Sequence, residues 1–190
     1  MDAKELIKAG LENTKRSVDR ALDGLTPAEL KWQPRPDANS IGLILFHMAR
    51  SEDSFVRSLI QGKPQLWETE KWYQKLNKAA NDSGSHYTEE QCAAFVVPEL
   101  KDLQHYADAV RRQTLEYLKD MTPEKLDKRV DLPPMAPPPP KDAPGGKPAP
   151  LRRPPFEPVV GVLLLVTVTH LAQHAGEISY LRGLQRGMDK

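Results

Sequence analysis

The chain lacks most of the features that would narrow its chemistry quickly. It has one cysteine, Cys92, in 190 residues, which excludes an intramolecular disulfide and suits a reducing compartment. It has no excess of either charge. Its 27 Lys and Arg against 26 Asp and Glu give a formal net charge of +1, and the signs are interspersed, so no basic patch draws in nucleic acid or an anionic membrane. The longest apolar run, Val159 to Val168, is broken only by Thr167; it is about half of the roughly 20 residues a bilayer span needs. The N-terminal Met-Asp-Ala-Lys-Glu-Leu-Ile-Lys is charged and helix-like, with no apolar signal-peptide core. Gly-rich phosphate loops, nucleophile elbows and Ser-His-Asp patterns are missing as well. The expectation is a cytoplasmic chain forming a single domain over 1–190, long enough to bury roughly 70% of its unfolded surface.

What the chain does have is helical periodicity. Ala3 to Leu25 carries Leu6, Ile7, Gly10, Leu11, Thr14, Val18, Ala21, Leu22 and Leu25 at i, i+3, i+4 spacing. Thr26-Pro27-Ala28-Glu29 starts a short turn with a cap, a first-position proline and a capping glutamate. Asn39-Ser40 caps a second helix from Ile41 to about Gln61, ended by Gly62 and Pro64. Pro98 starts a third to Asp120, with Leu100, Leu103, Ala107, Val110, Thr114 and Leu118 inward. Val159 to Arg186 reads as the last, because Leu164, Thr167, His170, Leu171, His174, Ile178 and Leu181 keep one face. These helices and the absence of any strand pattern give an all-α, four-helix bundle with long connections. Residues 63–97 form a partly helical cover segment. Residues 133–158 hold 12 of the 18 prolines, a Pro-rich loop before the last helix that favours polyproline II. Its Pro134-Met135-Ala136-Pro137 is a PxxP pattern, and a stiff spacer is the simpler reading of the segment.

The chemistry rests on histidine. His170 and His174 are four apart and share one helical face. His47 lies in Ile41-Gly42-Leu43-Ile44-Leu45-Phe46-His47-Met48-Ala49, apolar on every side, where an imidazole needs a hydrogen bond or a metal. If the second and last helices are neighbours, three neutral imidazoles meet, the donor set of a zinc-type site that leaves a position for water or substrate. His86 and His105 stand in polar surroundings and read as solvated, with His86 a rim residue if its loop folds over the bundle end. A zincin needs Glu directly after the first His; Leu171 stands there, so peptide hydrolysis of that type is excluded. Metal affinity is expected to fall below about pH 6.5 as imidazoles protonate.

Several stretches together resemble the DinB/YfiT-like superfamily of helical-bundle candidate metalloenzymes, in its DUF664-type branch. They are Asn39-Ser40-Ile41-Gly42-x4-His47-Met48-Ala49-Arg50-x-Glu52, Trp67-x4-Trp72, Thr88-x-Glu90-Gln91 and His170-x3-His174-x-Gly176-Glu177-Ile178-x-Tyr180-Leu181-Arg182. The resemblance covers nearly all the chain except the Pro-rich insert. It implies a divalent ion, zinc or nickel, on His47, His170 and His174. Glu177 stands where that family often has Gln; it either orients a ligand imidazole, acts as a general base, or is a surface residue. Arg50 and Arg182 either bind a carboxylate or thiolate substrate or pair with Glu52, Asp53 or Glu177. Trp67, Trp72 and Tyr73 are expected to frame the substrate pocket. The resemblance also implies a metal-dependent enzyme activating a low-molecular-weight thiol such as mycothiol or bacillithiol, or water. Such an enzyme would be an S-transferase, isomerase or hydrolase of detoxification or stress response, with a homodimer as a further expectation. The alternatives are a non-catalytic metal- or ligand-binding bundle with a structural or sensing role, and an adaptor working through the Pro-rich segment.

Overall fold

The computed structural model describes residues 2–132 and 156–186. Helix α1 spans Ala3–Leu22 and starts because the Asp2 carboxylate accepts the Glu5 N–H. Its buried stripe is Ile7, Leu11, Thr14, Val18, Ala21 and Leu22, whereas Leu6 is exposed. It stops three residues earlier than its apolar periodicity suggests because Gly24 turns the chain at φ +59°. Helix α2, Pro27–Lys31, has the full capping box between Thr26 and Glu29.

Helix α3, Ile41–Glu52, begins with the Ser40 hydroxyl accepting the Leu43 N–H. It continues to Ile60, but Asp53–Ile60 is wound as a π-helix. The expected extent is right and the winding is different. Asp53, fully buried at the junction, accepts the N–H groups of Leu66 and Trp67 and the Tyr106 hydroxyl. That carboxylate ties the cover segment to the bundle.

The cover is partly helical: α4 (Leu66–Thr69), α5 (Trp72–Lys75) and α6 (Glu89–Ala93). Helix α7, Leu100–Lys119, turns Leu103, Tyr106, Val110, Thr114 and Leu118 inward; Tyr106 joins the stripe expected from the sequence, while Leu100 and Ala107 are only half-buried. After the short α8 (Pro123–Leu126) the chain re-enters at Phe156, and α9, Val160–Arg186, closes it. Its 27 residues are about 40 Å long. Of the Pro-rich loop and its PxxP pattern, all but residues 156–158 lie outside the described residues. The two flanks meet in a single antiparallel bridge, Arg129 to Val159, and no strand occurs among the described residues.

The fold is therefore all-α. Among the described residues the four long helices pack α1 on α9, α9 on α3 and α3 on α7, with α1 touching α7. Helices α3 and α9 are thus neighbours, the condition for the three histidines to meet. Buried threonines 14, 114 and 167 each return their hydroxyl to the carbonyl four residues earlier, so none of these three hydroxyls is left unsatisfied. At Gly42 a Cβ would overlap Val97 Cγ1 and stand 3.2 Å from the Leu30 carbonyl oxygen. Val97 is stiff at χ1 and the carbonyl is backbone, so Gly42→Ala is expected to cost about 1–3 kcal/mol by overpacking. Chemical denaturation checks this; unchanged stability would show that the α2–α3 contact yields freely.

Candidate metal centre

His47 sits on α3, with His170 and His174 one turn apart on α9. One nitrogen from each lies within 4.8 Å of the others. His47 Nε2 and His170 Nε2 are 3.1 Å apart. Two nitrogens on one tetrahedral zinc, each at about 2.05 Å, would stand ~3.3 Å apart, so the spacing already fits a shared ion. All three side chains are half-buried rather than buried: they stand at the edge of the apolar interior, where an external ligand can reach them.

Two hydrogen bonds fix which nitrogens face inward. The Gly84 carbonyl can only accept, so His47 donates Nδ1–H to it at 2.8 Å and its Nε2 lone pair points to the other rings. The Ser85 hydroxyl lies 3.1 Å from the same Nδ1. On α9, His174 donates Nδ1–H to the Glu177 carboxylate at 2.8 Å, three residues on and on the same face. Glu177 thus touches the His174 ring in the way carboxylate companions of metal-ligating histidines do. Glu177→Gln is expected to lower metal affinity roughly 10- to 100-fold with little change in stability. Competition titration with a chromophoric chelator measures this, and an unchanged constant would remove Glu177 from the site.

Burial holds the His47 pKa below its usual value. His170 is pushed down to about 4, by burial first and then by His174 and His47. These shifts favour the neutral form that metal binding needs. They also move the expected pH dependence downward from the free-imidazole value of about 6.5. Between about 6.5 and about 4 the unfolded chain holds a proton on His170 that the folded chain does not, so folding stability rises with pH there. The metal-free chain is thus expected to lose stability as pH falls from about 6.5 to about 4. Thermal unfolding of chelator-treated protein across that range tests the sign; a rising Tm on acidification would reverse it.

The loop 81–87 supplies what the sequence alone did not single out. The Asp82 carboxylate accepts the Gly84 N–H at 2.9 Å and the Tyr87 hydroxyl at 2.5 Å, an Asx-type turn that presents the Gly84 carbonyl to His47. Gly84 has φ +71°, and a Cβ there would stand 3.1 Å from Arg50 Cγ, so both conformation and space require glycine. The Asp-Ser-Gly sequence signals the turn, but nothing local says which histidine it serves. Ser51, one turn after His47, brings its hydroxyl to 3.4 Å from Nε2. A cleft of about 210 Å³ opens beside the histidines, lined by His47 and His174 with Asn39, Leu43, Ile44, Ser85, Tyr87 and Cys92. His86, exposed, lies on its rim, whereas His105 is an exposed residue of α7.

Other residues expected at a substrate pocket are placed elsewhere. Trp67 is buried against Phe46, Tyr73 and Tyr106 and donates its indole N–H to the Ala80 carbonyl. Trp72 packs on Tyr106 and bonds to Glu70. Together with Tyr73 they hold the cover segment on the core and do not line the cleft, because large rings next to Asp53 gain more from burial than from exposure. Arg50 is buried: it donates to Gln65, Tyr106 and the Asp82 carbonyl and stacks 4.3 Å from the Trp67 ring. Its nearest carboxylate is Asp53, at 3.9 Å. Arg182 is held by Glu29 and by the carbonyls of Ala21 and Asp23, clamping α9 to the α1–α2 corner.

An all-helical chain with three histidines from two adjacent helices around one point defines the class: a helical protein with a candidate metal centre. The sequence matches the DinB superfamily over residues 11–178, and the chain belongs to that superfamily. A solved structure described as a conserved protein of locus from Enterococcus faecalis shares the fold, with a TM-score of 0.73 over 97% of this chain and 97% of its own at 24% identity. No curated protein matches the sequence. None of the described helices is long and apolar enough to cross a membrane.

Proposed function

We propose that this chain binds one divalent ion, zinc or nickel, on His47, His170 and His174 and uses it to activate a small thiol or a water for group transfer or hydrolysis. The observation that carries the reading is the triad itself: three imidazole nitrogens within 4.8 Å, two of the rings fixed through Nδ1 by Gly84 and Glu177. Three protein donors are the number of catalytic zinc sites, where structural ones have four. A bound divalent ion would lower the pKa of a thiol or water beside it toward neutrality.

The chain's own residues do the rest. Gly84 and Glu177 hold two rings in the tautomer that offers Nε2. Leu43 and Ile44 exclude bulk water from one side of the cleft, while Ser51, next to His47 Nε2, can hold a proton or orient a ligand near the triad. The open cleft favours catalysis over storage, for which a closed shell of ligands would serve. The direct test is elemental analysis of the full chain, purified without an affinity tag, incubated with zinc or nickel and dialysed. About one ion per chain is expected; clearly substoichiometric content for both metals ends this reading.

A further inference from the structure

Apart from the imidazoles of His47, His174 and, on the exposed rim, His86, the side chains that wall the cleft over the histidines are uncharged. Leu43 and Ile44 are apolar, and Asn39, Ser85, Tyr87 and Cys92 offer neutral amide, hydroxyl and thiol groups. The last two stay protonated: burial raises both, and the bond to Asp82 raises Tyr87 further. Cations of the adjoining segments are engaged elsewhere. Arg50 is turned to Gln65, Tyr106 and the Asp82 carbonyl. Lys78 donates to the Val96 carbonyl at 2.6 Å and stands 3.6 Å from the Phe95 ring centre, and Arg182 is fixed at Glu29. Two carboxylates, Asp82 and Glu177, are bonded to Gly84 and His174 of the cleft wall.

A ligand carboxylate that is not itself bound to the ion leaves water, meets no guanidinium or ammonium among the residues lining the cleft, and has Asp82 and Glu177 of the protein behind the walls. Each of those terms is unfavourable. The space is also small, about 210 Å³ against roughly 300–1,000 Å³ for ordinary ligand pockets. We infer that the cleft selects compact ligands that are uncharged apart from the single donor atom offered to the metal; within the thiols, it takes neutral ones and rejects those carrying carboxylates. This rests on the metal reading and names the ligand class of that same site.

The test uses the full chain loaded with Co²⁺, whose d–d bands report ion binding and whose thiolate charge-transfer band reports ligand binding independently of any activity. The probes are 2-mercaptoethanol, thioglycolate and mercaptosuccinate, with dissociation constants expressed per thiolate to remove differences in thiol acidity. Thioglycolate is expected to bind at least about tenfold more weakly than 2-mercaptoethanol, and mercaptosuccinate more weakly again, as for a charge left without a partner. In Asn39→Lys, which puts an ammonium on the exposed rim, the preference should move toward thioglycolate by a similar factor. Thioglycolate binding as well as 2-mercaptoethanol, an unchanged ratio in Asn39→Lys, or no charge-transfer band with any thiol overturns the ligand class while leaving the metal centre standing. Absent d–d bands overturn the metal reading itself.

Discussion

Replacing His170 with alanine is expected to cost the chain its metal. Structural zinc sites bind with about 10–16 kcal/mol from four ligands, so one imidazole accounts for roughly 2.5–4 kcal/mol, or a loss of affinity of roughly 60- to 800-fold. His170 is the sharpest choice because its Nε2 faces His47 Nε2 at 3.1 Å and because burial, then His174 and His47, hold its pKa down to about 4, which keeps the ring neutral and open to an ion. Below about pH 6.5 the parent also carries the penalty of a ring that stays unprotonated in the folded chain, so the metal-free variant should lose less stability than the parent as pH falls toward about 4. Calorimetric metal titration with thermal unfolding of the metal-free proteins separates the two effects. Undiminished affinity in His170→Ala would place the ion elsewhere.

The second large effect lies away from the site. Arg111 grips the Glu52 carboxylate with Nε to Oε1 at 2.8 Å and Nη2 to Oε2 at 2.9 Å, and donates Nη1 to the Leu11 carbonyl. Glu52 exposes only 4% of its side chain, so this one contact joins α1, α3 and α7 in the interior. Arg111→Ala leaves a buried carboxylate unpaired, which costs about 3–5 kcal/mol, a large part of a typical total of about 5–15, and should lower Tm by roughly 6–20 °C. The double variant Glu52→Leu/Arg111→Met should recover most of the loss, because a well-packed apolar pair avoids the desolvation of both ions. Urea unfolding of the single and double variants decides it. A single variant within 1 kcal/mol of the parent would mean that water reaches Glu52.

The helices were legible because their signals are local. Ser40, Thr26 and Thr88 cap where their side chains say they should, and the stripes on α1 and α7 follow the apolar spacing. The misread details share one cause: a residue's neighbours outweighed its own pattern. Helix α1 ends at Leu22, ahead of the turn at Gly24, and the winding changes after Glu52, where buried Asp53 is bonded to Leu66 and Trp67 of a distant segment. The aromatic residues of the cover are expected, beside the family resemblance, to frame a pocket. Placed beside Asp53 and Arg50, they are the packing that holds the cover down.

The sequence by itself determined that this is a helical chain and that His47, His170 and His174 are its candidate ligands, since a helical period places the last two on one face and an apolar setting marks the first. Only the tertiary structure decided that α3 and α9 lie side by side, that Gly84 and Glu177 fix the rings, and that Arg50 faces the core instead of a ligand. Helical periodicity acts over a few residues and can be read along the chain. The 123 residues between His47 and His170 are bridged only by packing, which no local pattern encodes.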